Sequence, residues 1–186
     1  MITPNDVLDF WFAGDPGTPR PVWFEKNEAF DLGCQALAPA RNQARDGELD
    51  HWTASPRGTL ALLILLDQLS RNLHRGSAEA FVADAKARAI ARAAIEAGFD
   101  KRLGPVERVF VYLPFEHSED PADQDLSVRL FESLRGTAVR DLSVDYAYRH
   151  RSVIRRFGRF PHRNAALGRT NTPEEEAYLA QPGAGF

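Results

Sequence analysis

The chain has 186 residues, 44% of them hydrophobic and 26% charged, and carries a net charge of −3. That length makes one domain, large enough to bury a core without a disulfide or a metal. The composition excludes a disordered chain, a collagen-like repeat and a membrane bundle. The balance of charge also argues against a chain built as a whole to neutralise nucleic-acid phosphates.

The punctuation reads as helices joined by short turns. Thr3-Pro4-Asn5-Asp6 supplies a cap, a Pro at the first helical position and an acid in the first turn. It opens a short apolar helix over Val7 to Phe12. A Gly- and Pro-rich loop spans 14–21. A helix is predicted from about Asn27, interrupted near Pro39 and ended by Gly47. Ser55-Pro56 starts a strongly apolar helix that runs to about Leu73. Ser77 is predicted to cap the next helix, which runs to Gly98 and is half Ala between Ala78 and Ala97. Asp84, Arg88, Arg92 and Glu96 recur every fourth residue, which predicts one solvated side. Pro105 to Leu113 reads as a helix stopped at Pro114. Asp120-Pro121 caps another, ended by Gly136, and a further helix runs from about Asp141 to Phe157. Thr172-Pro173 followed by Glu174, Glu175 and Glu176 opens the last, with its acids at the favourable end of the helix dipole. No period-two strand and no Asn-Gly hairpin turn is visible. Residues 1–186 therefore read as a single all-α domain of seven or eight helices.

Several function classes lack their signatures. Cys34 is the lone cysteine, which leaves no intrachain disulfide and no thiolate zinc site. The first residues have no signal-peptide character. The longest apolar run, Leu60 to Leu66, falls far short of the roughly 20 residues of a membrane span. A cytoplasmic protein without a membrane partner is expected. The glycine-rich nucleotide loops, the zinc-protease HExxH and the GxSxG elbow are all missing. His117, His150 and His162 fit no short metal-ligand spacing, so no metal and no cofactor is expected.

Charge is spread unevenly. Twenty of the 23 basic residues are Arg, and the stretch from Tyr146 to Pro173 holds seven Arg and no acid. That stretch is +7 and the remainder sums to −10. It also carries an apolar face of Tyr146, His150, Val153, Ile154 and Phe157, so it must dock on the body. The imbalance therefore reads first as complementarity between helices, with Asp67, Glu116, Glu119 and Asp120 as expected partners.

Three polar segments are candidates for function. Asp67 and Arg71 stand at i, i+4 on a face that begins apolar, which implies a half-buried ion pair. That pair either ties helices together or lets Arg71 present its fork to a carboxylate or phosphate. Around Pro114 the order is Glu116, His117, Ser118, Glu119, Asp120. These acids can be helix-capping groups, yet a cap has no need of His117. With Glu119 beside it, His117 could act as an acid–base pair. In the third segment His150 belongs to the apolar face, while Arg155, Arg156, Arg159 and Arg163 cannot all be buried. The aromatic runs Phe10-Trp11-Phe12 and Trp23-Phe24 read as core.

Together, the segments Val7–Phe12, Trp23-Phe24, Leu65–Asn72, Tyr112–Asp120 and Phe157–Asn164, with the C-terminal residues through Phe186, resemble a bacterial family of uncharacterised proteins, domain-of-unknown-function family 924. The His117-Ser118-Glu119 and Phe157-to-Asn164 runs are long and unusual. The resemblance implies a TPR-like array of helix pairs, and it carries no reaction.

The expectation is that Asp67, Arg71, His117, Glu119, His150, Arg159, His162 and Arg163 converge on one concave face. The excess of Arg then suits an anionic small molecule or an acidic peptide. Two rival readings stand beside it. One is a hydrolase or transferase using His117 with Glu119. The other is a structural or assembly protein that binds no ligand.

Overall fold

The computed structural model describes the backbone of residues 2–139 and 141–185, and the side chains of all of these except 141 and 142. Phe186, the last residue of the family resemblance, lies outside them. The described residues form an all-α fold. Its helices are α1 (Pro4–Phe12), α2 (Glu28–Cys34), α3 (Ala38–Asp46), α4 (Pro56–Leu63), α5 (Ser70–Leu73), α6 (Asp84–Glu96), α7 (Pro105–Glu116), α8 (Pro121–Glu132), α9 (Asp141–Phe157) and α10 (Pro173–Leu179). No helix among the described residues is long and apolar enough to cross a membrane.

The predicted starts hold where a side chain closes the first turn. Thr3 accepts from the Asp6 amide and Asp6 answers to the Thr3 amide. Ser55 and Asp120 cap α4 and α8 by accepting from the Gly58 and Ala122 amides, and Thr172 with Glu175 repeats the reciprocal pair at α10. Gly47 ends α3 with φ of 91°, a left-handed position that Gly adopts without steric cost.

Elsewhere the helices differ from expectation. The predicted break at Pro39 falls earlier. A 3₁₀ turn at Gln35–Leu37 separates α2 from α3, and Pro39 sits inside the first turn of α3, where its missing N–H costs nothing. Pro114 does not stop α7, which continues to Glu116. The helix ends only two residues later, and Phe115 and Glu116 are buried, so packing outweighs one lost hydrogen bond. Ser77 caps only a 3₁₀ turn, Ala78–Ala80, and α6 begins at Asp84.

The long apolar helix is the centre of the molecule. Between α4 and α5 the chain takes a π-helical path over Ile64–Leu69. The rod formed by α4, this π segment and α5 packs against α1, α3, α6 and α7. All six residues of the π segment are buried, including Asp67 and Gln68. A helix surrounded on all sides has no polar face. Wide π turns of this kind recur at functional sites.

The aromatic runs are largely core. Trp11, Phe12 and Trp23 are buried around Phe110, whereas Phe24 is 59% exposed at the edge of the same group. Cys34 is also buried, and burial pushes its thiol up to about 11, as befits an inert packing residue. A second, smaller core of Val153, Ile154 and Phe160 takes Phe157 and Tyr178 against it. It docks the basic stretch, as the apolar face of α9 requires.

The partners of that stretch are acids from several elements. Arg151 and Arg155 pair with Asp125, Arg156 with Glu174, Arg159 with Glu175, and Arg169 with Glu119. Among the four expected partners, only Glu119 takes an Arg of the stretch in these bridges. The regular polar side of α6 is not simply solvated either. Asp84 faces Arg71, while Arg88 and Arg92 converge on Asp123 of α8.

Candidate functional site

The π segment turns Asp67 inward at the point where α5, α6, α7 and α9 approach. Asp67 is 1% exposed. Its Oδ1 lies 3.0 Å from Arg71 and 2.8 Å from His117 Nδ1, and its Oδ2 lies 3.0 Å from the same nitrogen. Gln68 donates to Oδ2 at 2.5 Å. Burial alone would raise this carboxyl. The Arg71 charge, with the hydrogen bonds from His117 and Gln68, outweighs it and holds the group well below the usual carboxylate range. An ionised carboxylate only accepts, so Nδ1 of His117 carries the hydrogen and Nε2 holds the lone pair. Nε2 has no hydrogen-bond partner among the described residues. His117 itself stays neutral more readily than usual, chiefly through burial and then through the Arg71 cation.

Arg71 forks across Asp84 with two bonds of 3.1 Å and also donates to the Asp67 carbonyl. Arg163 reaches the same Asp84 less closely, at 3.7 Å. It is buried, lies 4.8 Å from the centre of the Phe81 ring and 4.5 Å from that of Phe160, and its Nε meets no hydrogen-bond partner among the described residues. Burial, and then the Arg71 cation, lowers its guanidinium to about 10.

A second His–carboxyl contact lies behind the first. His150 donates from Nδ1 to the Tyr146 carbonyl at 2.8 Å, and Glu116 Oε1 stands 3.3 Å from that nitrogen. The rings of His117 and His150 are 6.2 Å apart. Burial, reinforced by the Asp67 charge, pushes Glu116 up to about 8, so it is a neutral acid at pH 7. His150 is held neutral, first by burial and then by His117. His162 neighbours the Phe160 ring, and burial followed by Arg163 takes it down to about 4.

The raised value for Glu116 has a measurable consequence. A carboxyl whose folded value lies above its unfolded one adds stability below the unfolded value and loses it as pH rises toward the folded one. Glu116→Gln keeps a neutral acceptor near His150 and removes that loss. It should stabilise the protein by about 2–4 kcal/mol more at pH ~8 than at pH ~5. Urea melts at the two pH values check this. An equal effect at both would mean that Glu116 is ionised in the fold.

Of the residues singled out from sequence, Asp67, Arg71, His117, His150, His162 and Arg163 lie in or beside this cluster. Glu119 is not beside His117 as a partner. Its carboxylate takes Arg169 through both oxygens, at 2.8 and 3.0 Å, and accepts from the Phe160 amide at 2.7 Å. The His117–Glu119 pair is thus replaced by His117–Asp67, because the turn after α7 points Glu119 at the 160–169 segment. Arg159 sits apart, doubly bonded to Glu175 and to the Thr170 carbonyl. Phe160 belongs to the cluster as well, and so do Asp84 and Phe81, which were not singled out. Asp84 was concealed by its place in a regular polar pattern. Clefts of about 350 Å³ beside Tyr148, Arg149 and Tyr178, and of about 300 Å³ beside Arg41, Arg45 and His74, lie away from these residues. No group of three or more His, Cys, Asp or Glu among the described residues is placed to hold a metal.

Fold and site define an all-α protein whose centre is a buried Asp–His–Arg network. The chain belongs to the family described as bacterial protein of unknown function (DUF924), whose model matches residues 7–183. It is similar to a solved structure, a protein of unknown function, ATU0120, from Agrobacterium tumefaciens. The two are 40% identical over 96% of this chain and 97% of that one, with a TM-score of 0.87. No curated protein matches.

Proposed function

We propose that the chain binds a small anionic molecule at the cluster of Arg163, Arg71 and His117. Arg163 carries this reading. A purely structural network would close its ion pairs, as Arg71 does with Asp84. Arg163 is buried, shares that Asp84 only at 3.7 Å, and keeps an Nε with no hydrogen-bond partner among the described residues. A buried guanidinium held by so loose a pair and with an unmet donor is costly, and an anion bonded to it would relieve the cost. Arg71 and His117 keep 19% and 14% of their side chains exposed, which offers a way in. The TPR-like array is part of the same proposal, supported by the successive packing of α6 on α7, α7 on α8 and α8 on α9. So is a cytoplasmic setting, supported by the lone buried cysteine.

Thermal melts in sodium acetate, formate and phosphate test it, against chloride at equal ionic strength. A ligand at a hundred times its Kd adds about 2.7 kcal/mol, several degrees in Tm for a domain of this size. The rise should vanish in Arg163→Met, which keeps the packing length and removes the charge. Equal melts in all the salts would overturn the reading. A second reading, an enzyme, is favoured by the Asp67–His117 contact, which leaves a lone pair on Nε2. In that reading Asp67, not Glu119, orients the base.

A further inference from the structure

We infer, resting on the anion-binding reading, that this site takes up a small carboxylate monoanion together with one proton, and that the proton goes to Nε2 of His117.

Charge balance in the cluster requires the proton. Arg71 and Arg163 supply two positive charges, and Asp67 and Asp84 supply two negative ones. The cluster is therefore neutral while its histidines and Glu116 are uncharged. A bare anion would leave a net charge in a largely buried site, where uncompensated charge is expensive. A proton arriving with it restores neutrality.

The groups that could take that proton are facing groups from every neighbouring element. The π segment and α5 contribute Asp67 and Arg71, α6 contributes Asp84, and α7 ends in Glu116 and His117. His150 comes from α9, His162 and Arg163 from the Pro161–Arg163 turn, and Glu119 is bound to Arg169. In the contacts between described residues, one histidine has an ionised carboxylate hydrogen-bonded to Nδ1 and an Nε2 that no described residue engages. That is His117, on Asp67 at 2.8 and 3.0 Å. His150 gives Nδ1 to a backbone carbonyl, and its nearest carboxyl, Glu116, is a neutral acid. His162 faces the cations of Arg163 and Arg169. Protonation of His117 makes an Asp⁻–HisH⁺–anion⁻ row beside two guanidiniums, with alternating charge along it.

The ligand class follows from the same geometry. One proton balances one negative charge, which favours a monoanion over a phosphate dianion. The Phe81 and Phe160 rings both lie against the Arg163 guanidinium, so it is left to bond through its edge. A flat carboxylate meets a guanidinium edge with two parallel bonds.

Calorimetric titration with sodium acetate, in two buffers of different ionisation enthalpy, tests the inference. The expected result is uptake of close to one proton per acetate. The Kd should rise with pH, by up to about tenfold per unit, across the window between the free and bound values of His117, the free one lying below the ordinary imidazole value. His117→Gln should bind acetate more weakly, with the same heat in both buffers and a flat pH profile. His150→Gln should keep the uptake. Phosphate should bind no tighter than acetate. Acetate binding with no buffer dependence in the wild type overturns the proton coupling and leaves the anion site standing. Absence of binding by acetate, formate and phosphate alike overturns both. The wild-type comparison decides even if a variant fails to fold.

Discussion

Replacing Asp67 by alanine should lower stability by about 3–5 kcal/mol, the range for removing one partner of a buried ion pair. The loss has three sources. Arg71 keeps Asp84 but loses its 3.0 Å partner, His117 loses the acceptor for Nδ1, and Gln68 loses the oxygen it donates to. Asp67→Asn retains an acceptor and removes only the charge, so it should cost distinctly less. Urea denaturation of both variants checks this order. A cost below ~1 kcal/mol for Asp67→Ala would mean that water already reaches the network, since solvated pairs are worth no more than that.

The aromatic core should respond as strongly. Phe110 is 1% exposed, and its ring centre lies 5.6 Å from those of Trp11 and Phe12 and 4.9 Å from that of Trp23. Truncating such a side chain removes its own burial and leaves a cavity that rigid neighbours cannot fill. Phe110→Ala should cost about 3–5 kcal/mol, or about 10 °C in Tm. Phe24 touches the same ring from the surface, 6.3 Å between centres and 59% exposed. Phe24→Ala should cost under ~1 kcal/mol. Comparable losses in the two variants would show that Phe24 is covered in solution.

Helix starts were legible because each is a local event. Thr3, Ser55, Asp120 and Thr172 act on amides two or three residues away, so a short window contains both partners. The Asp67–Arg71 pair was legible for the same reason, at four residues' spacing. Legibility failed where the partner is distant along the chain. His117 stands two residues from Glu119 and fifty from Asp67, yet its hydrogen bond goes to Asp67. Nothing in a short window shows which way the turn after α7 will aim its acids. Asp84 was read as solvated because Arg88 and Arg92 follow it at fourfold spacing. That spacing sets a helix face, while the element that covers the face is a matter of tertiary packing. Pro114 failed differently: a local rule was valid and was outweighed by burial of Phe115 and Glu116.

The π segment has one more consequence, for how firmly each side of the site is held. Asp67 stands on a stretch whose six residues are all at 5% exposure or less, enclosed by neighbouring helices. Segments like this open only with the whole molecule, so their amides exchange slowest. Arg163 stands instead on a three-residue 3₁₀ turn, packed against a satellite core and moored by the Arg169–Glu119 bridge. Turns of that kind open locally at lower free energy. The cluster is thus a vice with one fixed jaw and one sprung jaw. The fixed jaw holds the acid and the histidine in register, and the sprung jaw carries the loosely paired guanidinium.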